Sequence, residues 1–281
     1  MGGGFTEVTP NGASSGSIRN CVARLNSDGS LDTAWDPEPN ASVDVIVIDP
    51  VGNILLGGQF TGFQPGGQTS PTQIDFLARI SEAGAIDTTF VVNPLASVSA
   101  IAIQPDGKLV IGGNFTQIFA ENSIGSSSIN FVARINMDGS LDTAFNPDPN
   151  QAVNSIAVET DGSLILGGYF TSFLPLGESG VIPRNFIARV GQDGSVDATL
   201  APNALGNVFA SASLSNGQVL IGGSFLSVGG LTRSYLARLN SDGSLDATFT
   251  PTLDGTVQTL ACLLYTSAIF SVRGESRRAP V

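Results

Sequence analysis

The 281-residue sequence predicts an all-β fold, a β-propeller of four-stranded antiparallel blades with about five blades present, and three observations carry that prediction. Glycine and proline are abundant (Gly 34, Pro 15), and no segment holds a 3.6-residue apolar period of useful length. Short apolar runs alternate instead with Gly, Asp, Asn and Pro, the pattern of many short strands. An Ala-Arg-apolar triplet also returns at Arg24, Arg79, Arg134, Arg189 and Arg238, at spacings of 55, 55, 55 and 49. A parallel β-helix is the rival, but its coils are shorter and lack local hairpins.

The copy between residues 99 and 145 shows the elements best. Strand a, "SAIAIQ", is closed by the turn Pro105–Gly107. Strand b, "KLVIGGNF", leads into a long loop and then strand c, "FVARIN"; a second tight turn at Met137–Gly139 precedes strand d, "SLDTAF". The nearly continuous apolar runs of a and b suit strands covered on both faces. Gly-Gly pairs inside strand b (Gly57-Gly58, Gly112-Gly113, Gly167-Gly168, Gly222-Gly223) predict a bulge or close backbone approach rather than a phosphate loop, because no helix start or lysine follows them. Trp35, Phe90, Phe145 and Phe249, with Leu200 in their place in one copy, read as packing between blades. Cys21 stands where other copies have Phe76, Phe131, Phe186 and Tyr235, and reads as a small buried hydrophobe.

The c–d turn decides whether the acids are ligands or scaffold. "LNSDGSLD" occurs twice, at residues 25–32 and 239–246. A three-residue loop with Gly29 in the left-handed region sets Asn26 against Ser30, Leu25 against Leu31 and Arg24 against Asp32. A two-residue loop would mix apolar and charged faces. The same register pairs Arg79 with Asp87, Arg134 with Asp142, Arg189 with Asp197 and Arg238 with Asp246. Calcium binding is disfavoured: Arg24 occupies the place of a ligand acid, Ala83 replaces the turn aspartate in one copy and Gly191 the asparagine in another. No metal or cofactor is expected.

"RINMDGSLDTAFNP" and "IAIQPDGKLVIGGNFT", with their copies, resemble the delta-60 repeat, a bacterial repeat of large secreted or cell-surface proteins. The resemblance covers about residues 2–261 and implies an extracellular or cell-surface β-propeller; it supplies no catalytic residues. Residues 1–261 are accordingly read as a single propeller, with units at 1–40 (partial), 41–95, 96–150, 151–205, 206–254 and 255–261 (partial). "GGGF" at the start aligns with "GGQF", so the chain is expected to begin inside a blade, as a piece of a longer propeller. Residues 262–281 depart from the repeat. "CLLYTS" is a peptide that a common transposon-based sequencing adapter encodes, and 262–281 is read as a non-native tail.

Composition narrows function. A net charge of −12 with a single lysine, Lys108, argues against nucleic acid and anionic membranes. With no histidine the usual general base and zinc ligand are missing, and two cysteines make no disulfide framework. No apolar run is long enough for a membrane span, and the N-terminus does not resemble a signal peptide. What varies between copies is the b–c loop, expected to bear no strand pairing and to gather on one face. Its candidate binding residues are Phe63, Phe119 and Phe173, taken as exposed, with Arg19, Arg184 and Arg233 nearby. Against this stands the plainer reading that the phenylalanines fold back onto the blade and the arginines are solvated. The favoured function is a non-enzymatic module binding a protein or glycan through these loops. The alternatives are a structural spacer and, weakest, a propeller hydrolase or lyase using paired carboxylates.

Overall fold

The computed structural model describes residues 1–66, 69–120, 126–262 and 268–271, and among these there is no helix. The chain packs as two compact units. The first holds Met1–Ile103, Gly107–Ile129 and Ala133–Asp142; the second holds Gln104–Asp106, Asn130–Val132 and Thr143–Val281. The fold is a β-propeller whose main antiparallel sheets run in the order a-b-c. Val43–Ile48, Ile54–Gly58 and Leu77–Ile80 form one sheet, and Val98–Ile103, Leu109–Gly113 and Val132–Ile135 the next. The later two are Val153–Val158, Leu164–Gly168, Ile187–Val190 and Val208–Ser213, Val219–Gly223, Leu236–Leu239.

Strand d takes its predicted place but contributes one bridge per blade: Leu25 to Leu31, Ile80 to Ile86, Ile135 to Leu141, Val190 to Val196 and Leu239 to Leu245. Its brevity follows from the aspartate that comes next. Asp32, Asp87, Asp197 and Asp246 each accept, on Oδ1, the N–H of the residue two further on. That is an Asx turn, and it bends the chain off the ladder.

The glycine pairs answer two steric demands. Strands a and b slip by one residue between Val43 and Val45, and at the matching points 98/100, 153/155 and 208/210. At this bulge a Cβ on Gly58, Gly113, Gly168 or Gly223 would lie 2.0–2.1 Å from a backbone carbonyl oxygen of strand a's approach. The first glycine of the pair faces the neighbouring blade. A Cβ on Gly57 would meet Val98 Cγ1 at 2.8 Å, one on Gly167 would meet Val208 Cγ1 at 2.5 Å, and one on Gly222 would meet Val257 Cγ1 at 2.5 Å. The repeated valine and the repeated glycine are thus two halves of one packing contact.

The residue entering strand c is a second strained point. Cys21, Phe76, Phe131, Phe186 and Tyr235 all have φ between +61° and +69°. Around four of them the following N–H donates to the preceding residue's carbonyl, as in Leu77 to Asp75 at 2.7 Å, a three-residue turn rare for a bulky side chain. Packing holds it: Phe76 and Phe186 lie against their core clusters, and Cys21 is buried, which pushes its thiol pKa up.

Met1–Gly3 pairs with Cys21–Ala23 as a strand b would, in keeping with the alignment of "GGGF". Thr259–Cys262 pairs with Ala268–Ser271; the rest of the segment read as a non-native tail, 263–267 and 272–281, lies outside the described residues.

The b–c loops depart from expectation, because they do pair. Glu7–Val8 with Ser17–Ile18, Gln117–Ala120 with Ser127–Ser128, Ser172–Phe173 with Ile182–Pro183, and Ser227–Val228 with Leu231–Thr232 are small antiparallel hairpins. The d–a linker joins them: Val92–Pro94 adds a strand beside Gln117–Ala120, while Pro39, Pro149 and Ala204 bridge Phe63, Phe173 and Val228. Asn40 and Asn150 lock hairpin to linker. Each accepts a threonine N–H at 2.8 Å (Thr61, Thr171) and donates to the same residue's hydroxyl at 3.0 Å.

Candidate binding face

Strand alternation inside the hairpins decides which candidate aromatics can touch a ligand. Phe63 and Phe173 are 0% and 1% exposed, edge-on to Phe60 and Phe170 with ring centroids 4.8 Å apart. Their placement as exposed binding residues is corrected: they are core. Counting from the glycine pairs, the residue equivalent to Phe63 and Phe173 in the next loop is Ile118, not Phe119, and Ile118 is buried as well. Phe119 sits one residue later on the same strand, points outward and is 40% exposed.

The loop arginines are structural rather than solvated. Arg19 and Arg184 are each 7% exposed. Arg19 donates to the Ile18 carbonyl at 2.7 Å and the Thr33 carbonyl at 3.1 Å, and pairs with Asp36 at 3.0 Å. Burial pushes the Asp36 carboxyl up, against the pull of that guanidinium. Arg184 donates to Pro183 and Asp197 carbonyls at 2.6 and 2.8 Å, and Arg233 to those of Thr232 and Ala247 at 3.1 and 3.3 Å. Each ties a b–c hairpin to the chain just after strand d.

The five Arg–Asp pairs stand in the predicted register. Asp32, Asp87, Asp142, Asp197 and Asp246 receive Arg24, Arg79, Arg134, Arg189 and Arg238 at 2.7–3.3 Å. Arg189 is the exception in balance: it holds Glu159 through two nitrogens at 2.6 and 3.0 Å and Asp197 only at 3.3 Å. The turn closes as predicted, with Asn26 N–H donating to the Ser30 carbonyl at 2.8 Å and Gly29 at φ +84°. The guanidiniums also reach the neighbouring blade's turn. Arg79 donates to the Met137 carbonyl at 3.1 Å, Arg189 to that of Ser241 at 3.1 Å, and Arg24 to that of Glu82.

Local bonds occupy the turn acids. Asp28, Asp138 and Asp242 accept both the hydroxyl and the N–H of the serine two residues on, which holds these carboxyls below the usual range. Asp87, Asp142 and Asp197 are also held low: partial burial raises them, but hydrogen bonds from Thr89, Lys108 and Thr199 and the paired arginines outweigh it.

Two features of the face were not anticipated from sequence. Among the described residues of the second unit, six of the seven exposed large apolar side chains lie on the b–c hairpins and the d–a linker: Leu174, Leu176, Val181, Leu205, Leu226 and Leu231. Within the first unit, a cavity of about 140 Å³ opens between the b–c loop and the d–a linker, among Thr72, Ile74, Asp75, Thr88, Phe90 and Val92.

Comparison with known proteins agrees with this architecture, and the solved structures that match include a WD40 β-propeller. A selenomethionine-substituted virginiamycin B lyase from Staphylococcus aureus is 17% identical at TM-score 0.49, over 84% of this chain; the chain spans 65% of that lyase. A catalytically inactive variant of virginiamycin B lyase from Staphylococcus aureus, crystallised with quinupristin, is 15% identical at TM-score 0.52, over 92% of this chain and 74% of that one. The WD40 β-propeller domain of Doa1 is 14% identical at TM-score 0.50, over 87% and 79%. At such identities the likeness is one of fold. No curated protein sequence matches the chain. Residues 2–34, 104–145, 159–200 and 214–249, more than half of the chain, match one family profile; the chain belongs to the family described as "Domain of unknown function (DUF5122) beta-propeller".

Proposed function

We propose that this chain is a non-enzymatic docking module that holds a protein partner on the face made by its b–c hairpins and d–a linkers. The supporting observation is the concentration of exposed aliphatic side chains there in the second unit, against Phe63, Phe173, Arg19 and Arg184, which fold inward. Aliphatic surface favours a protein over a glycan, since sugars are gripped by open aromatic faces and hydrogen-bonding side chains. The resemblance to the delta-60 repeat supports an extracellular or cell-surface setting.

Catalysis is disfavoured chemically. The lyase likened above is inactive when one histidine becomes alanine, and this chain has no histidine. Its regularly spaced aspartates hold arginines and turn N–H groups, so none is poised as an acid or base.

The test is a triple substitution, Leu174→Ser, Leu205→Ser and Leu226→Ser, in crosslinking capture from the source organism's surface fraction. A protein captured by the parent and lost by the variant at unchanged melting temperature is the expected result. Equal capture by both, or binding to a glycan array that the variant retains, refutes the assignment.

A further inference from the structure

The cavity of the first unit lies where other copies of the repeat place an arginine. Arg19, Arg184 and Arg233 stand two residues before the left-handed corner of strand c; the same position in this blade is Ile74, which lines the cavity. In two of those copies the guanidinium donates to the carbonyl of the residue after the strand-d aspartate, Thr33 or Ala247. The corresponding residue here is Thr88, also in the lining. Its carbonyl accepts no hydrogen bond among the described residues. Asp36, the acid that neutralises Arg19, is replaced by Val91, but a carboxylate returns from the other side of the space as Asp75.

Asp75 is half-buried and pairs with no cation among the described residues. Among the described residues its carboxylate oxygens accept only the Gln73 side-chain amide and, at 3.5 Å, that of Asn93. The Thr88 carbonyl, without a donor among the described residues, and the Asp75 carboxylate, without a cation there, thus face a void also lined by Phe90. A cavity of roughly 150 Å³ holds a benzene-sized molecule, and a planar guanidinium is of that class. A ligand of drug size would not fit.

We infer that this cavity is a receptor for a guanidinium supplied from outside the chain, an arginine side chain of a partner polypeptide. With isoleucine in the arginine's position, the acceptors Thr88 and Asp75 stay available to such a group, while the Phe90 ring in the lining already carries Arg79, 4.4 Å from its centroid. The inference rests on reading the hairpin-and-linker face as a docking surface and adds one anchor chemistry to it. A net charge of −12 makes a basic partner the complementary one.

The probe is N-acetyl-arginine methylamide, titrated while the backbone amide NMR shifts are followed, against the citrulline analogue, equal in shape but neutral. Saturable shifts confined to residues 72–75 and 88–93 are expected, with citrulline about tenfold weaker. Asp75→Asn weakens the arginine probe by a similar factor, whereas Ile74→Arg refills the space internally, abolishes the shifts and raises the melting temperature. Absent saturation, equal binding of citrulline, or undiminished binding to Ile74→Arg overturns the inference. The leucine variant above should retain the probe's shifts, so failure of the docking face and failure of the cavity are told apart.

Discussion

Replacing Gly58 by alanine tests the bulge directly. The added Cβ would lie 2.1 Å from the Ser42 carbonyl oxygen, 3.0 Å from the Val43 α-carbon and 3.1 Å from the Ser42 carbonyl carbon, all backbone atoms. No rotamer change can relieve that contact, so the two strands must separate by more than about 1 Å to restore ordinary contact. That movement breaks the hydrogen bond from Gln59 N–H to the Ser42 carbonyl, now 2.9 Å. Overpacking costs about 1–3 kcal/mol and the lost bond about 0.5–1.5 kcal/mol, so a loss near 3 kcal/mol is expected. For a domain this size that is a fall of roughly 6–12 °C in melting temperature. The readout is built in. Trp35 is the single tryptophan, 2% exposed, and shares a core cluster with Val43 and Phe60. Its fluorescence in a urea or thermal scan follows the structure around the substitution. Gly66→Ala is the control, since a Cβ there meets nothing within 4 Å, and it should shift stability by less than about 0.5 kcal/mol. A loss below about 1 kcal/mol for Gly58→Ala, or one equal to the control, would refute the steric account.

Phe173→Ala should cost about 3–5 kcal/mol by denaturant unfolding and Phe119→Ala less than about 1 kcal/mol, although both residues lie in b–c loops; comparable losses would contradict the alternation argument. Because Asp87, Asp142 and Asp197 titrate below their unfolded values, their contribution is complete above about pH 4 and is lost as the pH falls through the folded values. Stability should therefore hold level from pH 7 to about pH 5 and decline below about pH 4; a decline beginning at pH 6 would count against these pairs. In a double-substitution cycle of Arg79→Ala with Asp87→Ala, a coupling near 1 kcal/mol is expected, because the pair is partly exposed.

The hairpin register was legible because two independent constraints agreed: the glycine needed φ above zero, and only one loop length kept apolar with apolar and Arg24 with Asp32. The glycine pairs were legible as close approach, though not which valine they receive, since that neighbour is 41 residues away for Gly57 and Val98. The b–c hairpins were illegible for a physical reason. Their strands are two to four residues long, too short to show a period against a variable loop. Grouping Phe119 with Phe63 and Phe173 followed residue type; counting from the glycine pair would have shown the one-residue offset that turns Phe119 outward. The left-handed corner at Cys21, Phe76, Phe131, Phe186 and Tyr235 carries no glycine to announce it. Its sole local cue is the short polar residue just before it (Asn20, Asp75, Asn130, Asn185, Ser234). The arginine cavity needed the structure, because sequence shows Ile74 without showing what space it leaves.

The arginine that serves its own aspartate and then the turn of the following blade gives the repeat a leading and a trailing end that match each other. Arg24 meets Glu82, Arg79 meets Met137 and Arg189 meets Ser241, three unlike residues made interchangeable because only their carbonyls are used. Recognition through the backbone makes this contact indifferent to the residue it meets, while the valine and glycine of the other contact recur with the repeat. A recombination event that adds or removes one whole 55-residue period therefore rejoins compatible ends, and the number of blades can change within this lineage without any new interface having to evolve.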